Sequence, residues 1–138
     1  MGRASACLLV CAVACSGAAK RETSTLITAV DRYRRADATS KAAEALAVSH
    51  VECTNARVCG AKVACVAAID PTTRALALKD EVARRLVDLQ EKRIAPTSPE
   101  AQTLPDKLDE ATRLLREGRT KMSECDRQLT DLVVEFGG

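Results

Sequence analysis

Residues 104–136 read LPDKLDEATRLLREGRTKMSECDRQLTDLVVEF, and the spacing within this stretch decides the fold. Leu104, Leu108, Ala111, Leu115, Gly118, Met122, Cys125, Leu129, Leu132 and Phe136 recur at alternating steps of four and three. Such a repeat keeps one narrow stripe turned toward a partner helix, as in a coiled-coil seam. Gly118 sits in mid-stripe, where it costs about 1 kcal/mol relative to Ala. That fits a close helix approach better than a long leucine zipper. Cys125 lies in the same stripe, so a covalent tie across the seam is open to it.

Working back from this stretch, Ala75, Leu78, Val82, Leu86 and Leu89 form a second stripe, with Leu76, Val87 and Ile94 on its flanks. Asp80–Arg84, Glu81–Arg85, Asp88–Lys92, Asp109–Arg113 and Glu117–Lys121 are acid-before-base pairs four apart, each supporting helix by roughly 0.2–0.5 kcal/mol. Between the two helices, Ser98 is a natural cap and Pro99 suits a first helical position. Pro105 marks a bend or the true start of the last helix. A short connection makes the two helices antiparallel neighbours.

Further back, Asp70-Pro71 reads as a helix restart, with Asp as cap and Pro at the first position, or as a kink in a longer helix. His50 to Gly60 breaks the helical pattern with the turn formers Asn55 and Gly60. From Thr25 to Ser49 the alanines favour one helix with Leu26, Val30 and Tyr33 on one face; Asp37 or Ser40 offers a cap for a second. Residues 20–24 read as a polar tether. The expected fold is all-α: an antiparallel helical hairpin with an additional N-terminal helix, three-helix-bundle-like and disulfide-stabilised.

Composition limits the core. Aromatic residues are 1% of the 138-residue chain, and alanine supplies much of the apolar content. Burial is worth roughly 25 cal/mol per Å², so a core of methyl groups is thin, and small domains with thin cores commonly use disulfides. A net charge of +2, with acids and bases interspersed, lacks the concentrated basic patch of a nucleic-acid binder.

Residues 1–20 place one cation, Arg3, ahead of an apolar run from Ala6 to Ala14 and then small residues, which is the plan of a secretory signal peptide. The run is too short for a span, which needs about 20 apolar residues. The competing reading is a buried N-terminal helix. Ala12-Val13-Ala14-Cys15 resembles the lipobox of bacterial lipoproteins, with Ala12 where leucine is usual. The resemblance implies cleavage before Cys15, lipidation (palmitate among the acyl chains) of Cys15, and outer-membrane sorting from Ser16. The organisation expected is a signal peptide over 1–14, a lipidated tether over 15–24 and a helical domain over 25–138. An alternative cut after Ala19 gives a soluble periplasmic or secreted product. In composition, the remainder resembles small uncharacterised helical lipoproteins of Gram-negative bacteria.

With Cys7 and Cys11 in the signal and Cys15 assigned to lipid, Cys53, Cys59, Cys65 and Cys125 remain. An even number in an exported domain points to two disulfides, with three connectivities to choose from. In a hairpin turning near residues 95–98, Cys65 and Cys125 fall opposite one another, which leaves Cys53 with Cys59. The alternative is a metal or redox site from His50, Cys53 and Cys59, with Cys65. Both cysteine gaps have five intervening residues, unlike the two-residue gap of common zinc and thioredoxin-type motifs.

His50 is the one histidine. There is no serine nucleophile elbow, no H-E-x-x-H and no phosphate-binding glycine loop. Arg84-Arg85 and the Arg113, Arg116, Arg119 row read as a solvated helix surface, with an anionic-partner face as the alternative. The expected protein is a lipid-anchored, non-catalytic envelope protein that binds or scaffolds, without cofactor or metal. Its partners would be the membrane, an envelope protein or a second copy. The alternatives are a periplasmic thiol- or metal-binding module and a helix-mediated oligomer.

Overall fold

A computed structural model describes the backbone of residues 8–137 and the side chains of residues 17–137. Arg3, Cys7, and the side chains of Cys11 and of Ala12 through Cys15 lie outside the described residues. The protein is an all-α, disulfide-containing, four-helix-bundle-like fold. In chain order the helices are α1 (Leu8–Arg35), α2 (Lys41–Ser49), α3 (Ala56–Gln90), the single-turn α4 (Pro99–Gln102) and α5 (Leu104–Phe136).

α1 starts earlier than the sequence pattern indicates. Residues 20–24, read as tether, are helical, and Ala19 and Thr23 are buried. The single helix expected through Ser49 is instead two. One oxygen of Asp37 accepts hydrogen bonds from the Thr39 and Ser40 N–H groups and from both hydroxyls. The Lys41 ammonium collects the carbonyls of Tyr33, Arg34 and Ala36 as α1 ends. These bonds satisfy groups that a helix terminus leaves free, so the chain turns there despite its alanines.

α3 is capped by Asn55, whose side chain accepts from the Arg57 and Val58 N–H groups, and it then runs through Pro71 without a break. A restart at Asp70-Pro71 is therefore not observed. A proline inside a helix removes a hydrogen bond and costs about 3 kcal/mol. Pro71 is buried, and burial of its ring works against that loss. The Thr72 and Thr73 hydroxyls also donate to the carbonyls of Ala68 and Ile69, at 3.5 and 3.1 Å.

Cys65 meets Cys125, Thr72 faces Gly118 and Glu81 meets Lys107, so α3 and α5 run in opposite directions along their lengths. Ser98 caps α4 by accepting from the Ala101 N–H, with Pro99 in its first turn, and Pro105 lies in the first turn of α5. α1 lies along the far half of this pair: Arg34 reaches Met122 and Asp126, and Glu22 holds Thr54 and Asn55. α2 folds back beside α1, tied by Arg32–Glu44. The main core sits here, around Leu26, Val30, Tyr33, Val48, Val58, Ile69 and Leu132.

Beyond that core, α3 and α5 continue as a two-helix arm with its own cluster of Ala75, Ala111 and Leu114. On the tip side of Gly118 the stripe of α5 keeps Ala111 and Leu104 buried and changes only at the positions between. Leu114 is buried where Leu115 was expected, and Leu108 is 42% exposed. On α3 the buried positions Cys65, Ala68, Pro71 and Ala75 include an extra three-residue step at Pro71. Such insertions change how two helices wind around each other, and the seam rolls at this point. Leu86 accordingly leaves the seam and is 46% exposed. Several ion pairs also differ from the four-apart expectation. Glu81 pairs across the seam with Lys107, Arg85 and Arg93 share Asp88, and Arg113 pairs with Glu110 and Glu117.

Candidate functional site

Two disulfides set the chemistry of the domain. Cys65–Cys125 joins α3 to α5 with both cysteines fully buried and their Cα atoms 4.6 Å apart. Cys53–Cys59 closes the connection between α2 and the first turn of α3, with Cα atoms 5.4 Å apart. Both Cys53 and Cys59 are half-buried. In this state none of the four sulfurs is a thiolate, the form that binds metal or attacks a substrate.

Beside the second disulfide, an open cleft of about 720 Å³ lies between α1 and the end of α2, lined among others by Arg21, Glu22, Arg32, His50, Glu52 and Cys53. His50 is exposed at the C-terminus of α2, where its N–H donates to the Leu46 carbonyl. Glu22 is committed to structure. Its carboxylate accepts from the Thr54 hydroxyl and from the Thr54 and Asn55 N–H groups. Those bonds, led by the Thr54 hydroxyl, hold its carboxyl below the usual range, so it stays an anion that braces the start of α3 and is a poor proton donor near neutral pH. Nothing in the local sequence around Glu22 signals this role, because its partners lie more than thirty residues away.

Among the described residues, no group of three His, Cys, Asp or Glu side chains is placed to hold a metal ion. His50 and Cys53 line one cleft, whereas Cys65 and Cys125 are enclosed in the core. Of the arginines singled out as an anionic-partner face, Arg84, Arg85 and Arg113 are in ion pairs with Asp80, Asp88 and Glu110/Glu117. Arg116 and Arg119 are exposed and make no ion pair among the described residues. Also among the described residues, no helix is long and apolar enough to cross a membrane.

The arm carries the feature that a search for catalytic motifs passes over. Leu86, Val87 and Leu108 are 46%, 44% and 42% exposed on a slender two-helix projection. Comparison with known proteins gives no assignment: no protein-family model, no curated protein and no solved structure matches the chain.

Proposed function

We propose that this chain is a lipid-anchored cell-envelope protein, held at the outer membrane through Cys15, that works by binding or scaffolding and not by catalysis. The observation that carries this reading is the closure of all four cysteines downstream of Cys15 into two disulfides within a small, alanine-rich domain. Disulfides persist in oxidising compartments such as the bacterial periplasm. The cation, apolar run and small residues at the N-terminus supply the means of export. One acyl chain anchors only marginally, whereas multiple acylation holds a protein stably at a bilayer. The antiparallel hairpin of α3 and α5 is then the working part, a stiff spacer that presents its tip away from the anchored end.

Metabolic labelling with a palmitate analogue tests the anchor. The wild-type chain is expected to take up label and partition with membranes, and Cys15→Ser to lose both. Equal labelling of the two chains removes the reading.

A second reading rests on Cys53–Cys59, half-buried beside the His50 cleft, with Cys59 in the first turn of α3 where the helix dipole favours a thiolate. In that reading the chain is a periplasmic thiol module. A redox titration resolving a reversible Cys53–Cys59 couple near the poise of thiol–disulfide oxidoreductases supports it. Reduction only under denaturing conditions excludes it.

A further inference from the structure

α1 has no slack at its start. Its backbone is helical from Leu8, and Ala19, Thr23, Leu26, Val30 and Tyr33 are buried at alternating steps of four and three. Residue 15 therefore stands one helical turn ahead of a side chain already packed in the domain. At 1.5 Å per residue that turn is about 6 Å long.

Three helices meet at this level. Gly137, just past α5, lies beside Lys20, whose ammonium is 3.7 Å from a Cβ built at that glycine. Glu22 accepts from the Thr54 and Asn55 N–H groups ahead of α3, and Arg57 pairs with Glu135. The starts of α1 and α3 and the finish of α5 thus share one end surface. Val133 and Val134, in the last turn of α5, are 42% and 83% exposed there.

We infer that this end of the bundle is seated on the headgroup layer of the bilayer that holds the Cys15 acyl chains. The inference rests on that acylation and goes beyond it, replacing a domain on a loose tether with one held against the lipid. Acyl chains attached at residue 15 enter the hydrocarbon there. The headgroup layer on one side of a bilayer is about 5–8 Å deep. Lys20 is five residues on, at most about 8 Å along the helix, so the end surface starts at the outer edge of that layer. Helical side chains lean toward the N-terminus. The Arg21 guanidinium accordingly reaches back to 3.6 Å from a Cβ built at Gly17, which brings a cation to the depth of the lipid phosphates.

Charge at this end is balanced, with Lys20, Arg21 and Arg57 set against Glu22, Glu52 and Glu135. The short run of helix fixes the seating, and attraction to anionic lipid does not. The hairpin of α3 and α5 then stands off the surface in a set direction. Its tip lies the length of the 33-residue α5 away, up to about 50 Å from the lipid.

NMR of the acylated full chain tests the seating. The isotope-labelled chain is carried in phosphatidylcholine discs that contain a lipid with a gadolinium-chelating headgroup. Amide signals are expected to be lost at residues 17–22, 54–57 and 133–137. They should recover along α5, until residues 91–104 match a disc without gadolinium. Replacing part of the lipid by phosphatidylglycerol should leave that gradient in place. A Gly-Ser linker inserted between Ser16 and Gly17, several times longer than the headgroup layer is deep, should flatten it. An acylated chain with no gradient, or with its loss centred on residues 104–115, overturns the seating and leaves the anchor standing. So does a gradient that ignores the linker or appears only with phosphatidylglycerol. A chain whose mass shows no acyl group removes the anchor, and the seating with it.

Discussion

Gly118 of α5 lies directly against the turn of α3 that holds Thr72. A Cβ placed at Gly118 would stand 3.0 Å from the Ala68 carbonyl oxygen and 3.3 Å from the Thr72 nitrogen, with the Thr72 hydroxyl nearer still. The two helices approach backbone to backbone at the level where Pro71 interrupts the hydrogen bonding of α3 and the seam rolls. Gly118→Ala is therefore expected to destabilise. Overpacking costs about 1–3 kcal/mol, and the gain in helix propensity returns only about 1. Gly60→Ala is the control, since its nearest neighbour is a flexible Gln128 oxygen at 3.9 Å. It should stabilise by up to about 1 kcal/mol. Thermal melts of the two variants should move in opposite directions.

The two disulfides should differ in weight. Cys65–Cys125 spans 60 residues and Cys53–Cys59 only 6. In the loop-entropy account the first contributes about 4 kcal/mol and the second about 2. Cys125→Ser with Cys65→Ser should lower Tm by about 10–20 °C, and the Cys53/Cys59 pair of substitutions by about half as much. An equal or larger loss in the Cys53/Cys59 double variant contradicts this ranking.

Acid should loosen the α1–α2 turn. Hydrogen bonds led by the Ser40 hydroxyl hold the Asp37 carboxyl down at about 2. A carboxylate depressed in the folded state contributes stability above its unfolded value, near 3.9, and loses it as pH falls through the folded one. The turn's contribution is thus complete at neutral pH and disappears between about pH 4 and pH 2. Asp37→Asn should lower Tm at pH 7 and leave a smaller drop across that acid window than in wild type. A titration of the Asp37 carboxyl by NMR checks the midpoint directly.

Tyr33 is buried, its ring sits 4.5 Å below the Lys41 ammonium, and its hydroxyl has no partner among the described residues. A buried polar group without a partner is a net cost of about 1–3 kcal/mol, and the ring alone keeps the cation contact. Tyr33→Phe should leave Tm unchanged or raise it. A drop of several degrees would mean that the hydroxyl is bonded.

The all-α class and the disulfide content were legible, because apolar spacing and cysteine number are local or countable. The cap at Ser98 was legible for the same reason, whereas Asn55, read as a turn former, proves to cap α3. Two features were open only as second alternatives, and a third was not legible. The split between α1 and α2 depends on Asp37 and Lys41 collecting backbone groups at a site where alanines favour continuation. The passage of α3 through Pro71 goes with its burial in the fold, which a local stop signal does not reveal. The roll of the seam, exchanging Leu115 for Leu114, depends on how closely Gly118 lets two backbones approach. The exposed arm face follows from that roll, and a stripe read from sequence places Leu86 and Leu108 inside it.

The central claim is an exported, acylated domain pinned by two disulfides, and one measurement reaches all of it. The chain is taken from cell envelopes after thiol blocking in the living cell, and its peptides are weighed. The account predicts an N-terminal peptide that begins at Cys15 and carries acyl mass. It predicts Cys53 linked to Cys59, Cys65 linked to Cys125, and no blocked thiol among the four. An unacylated N-terminus still carrying residues 1–14, with those four cysteines blocked as free thiols, would contradict it.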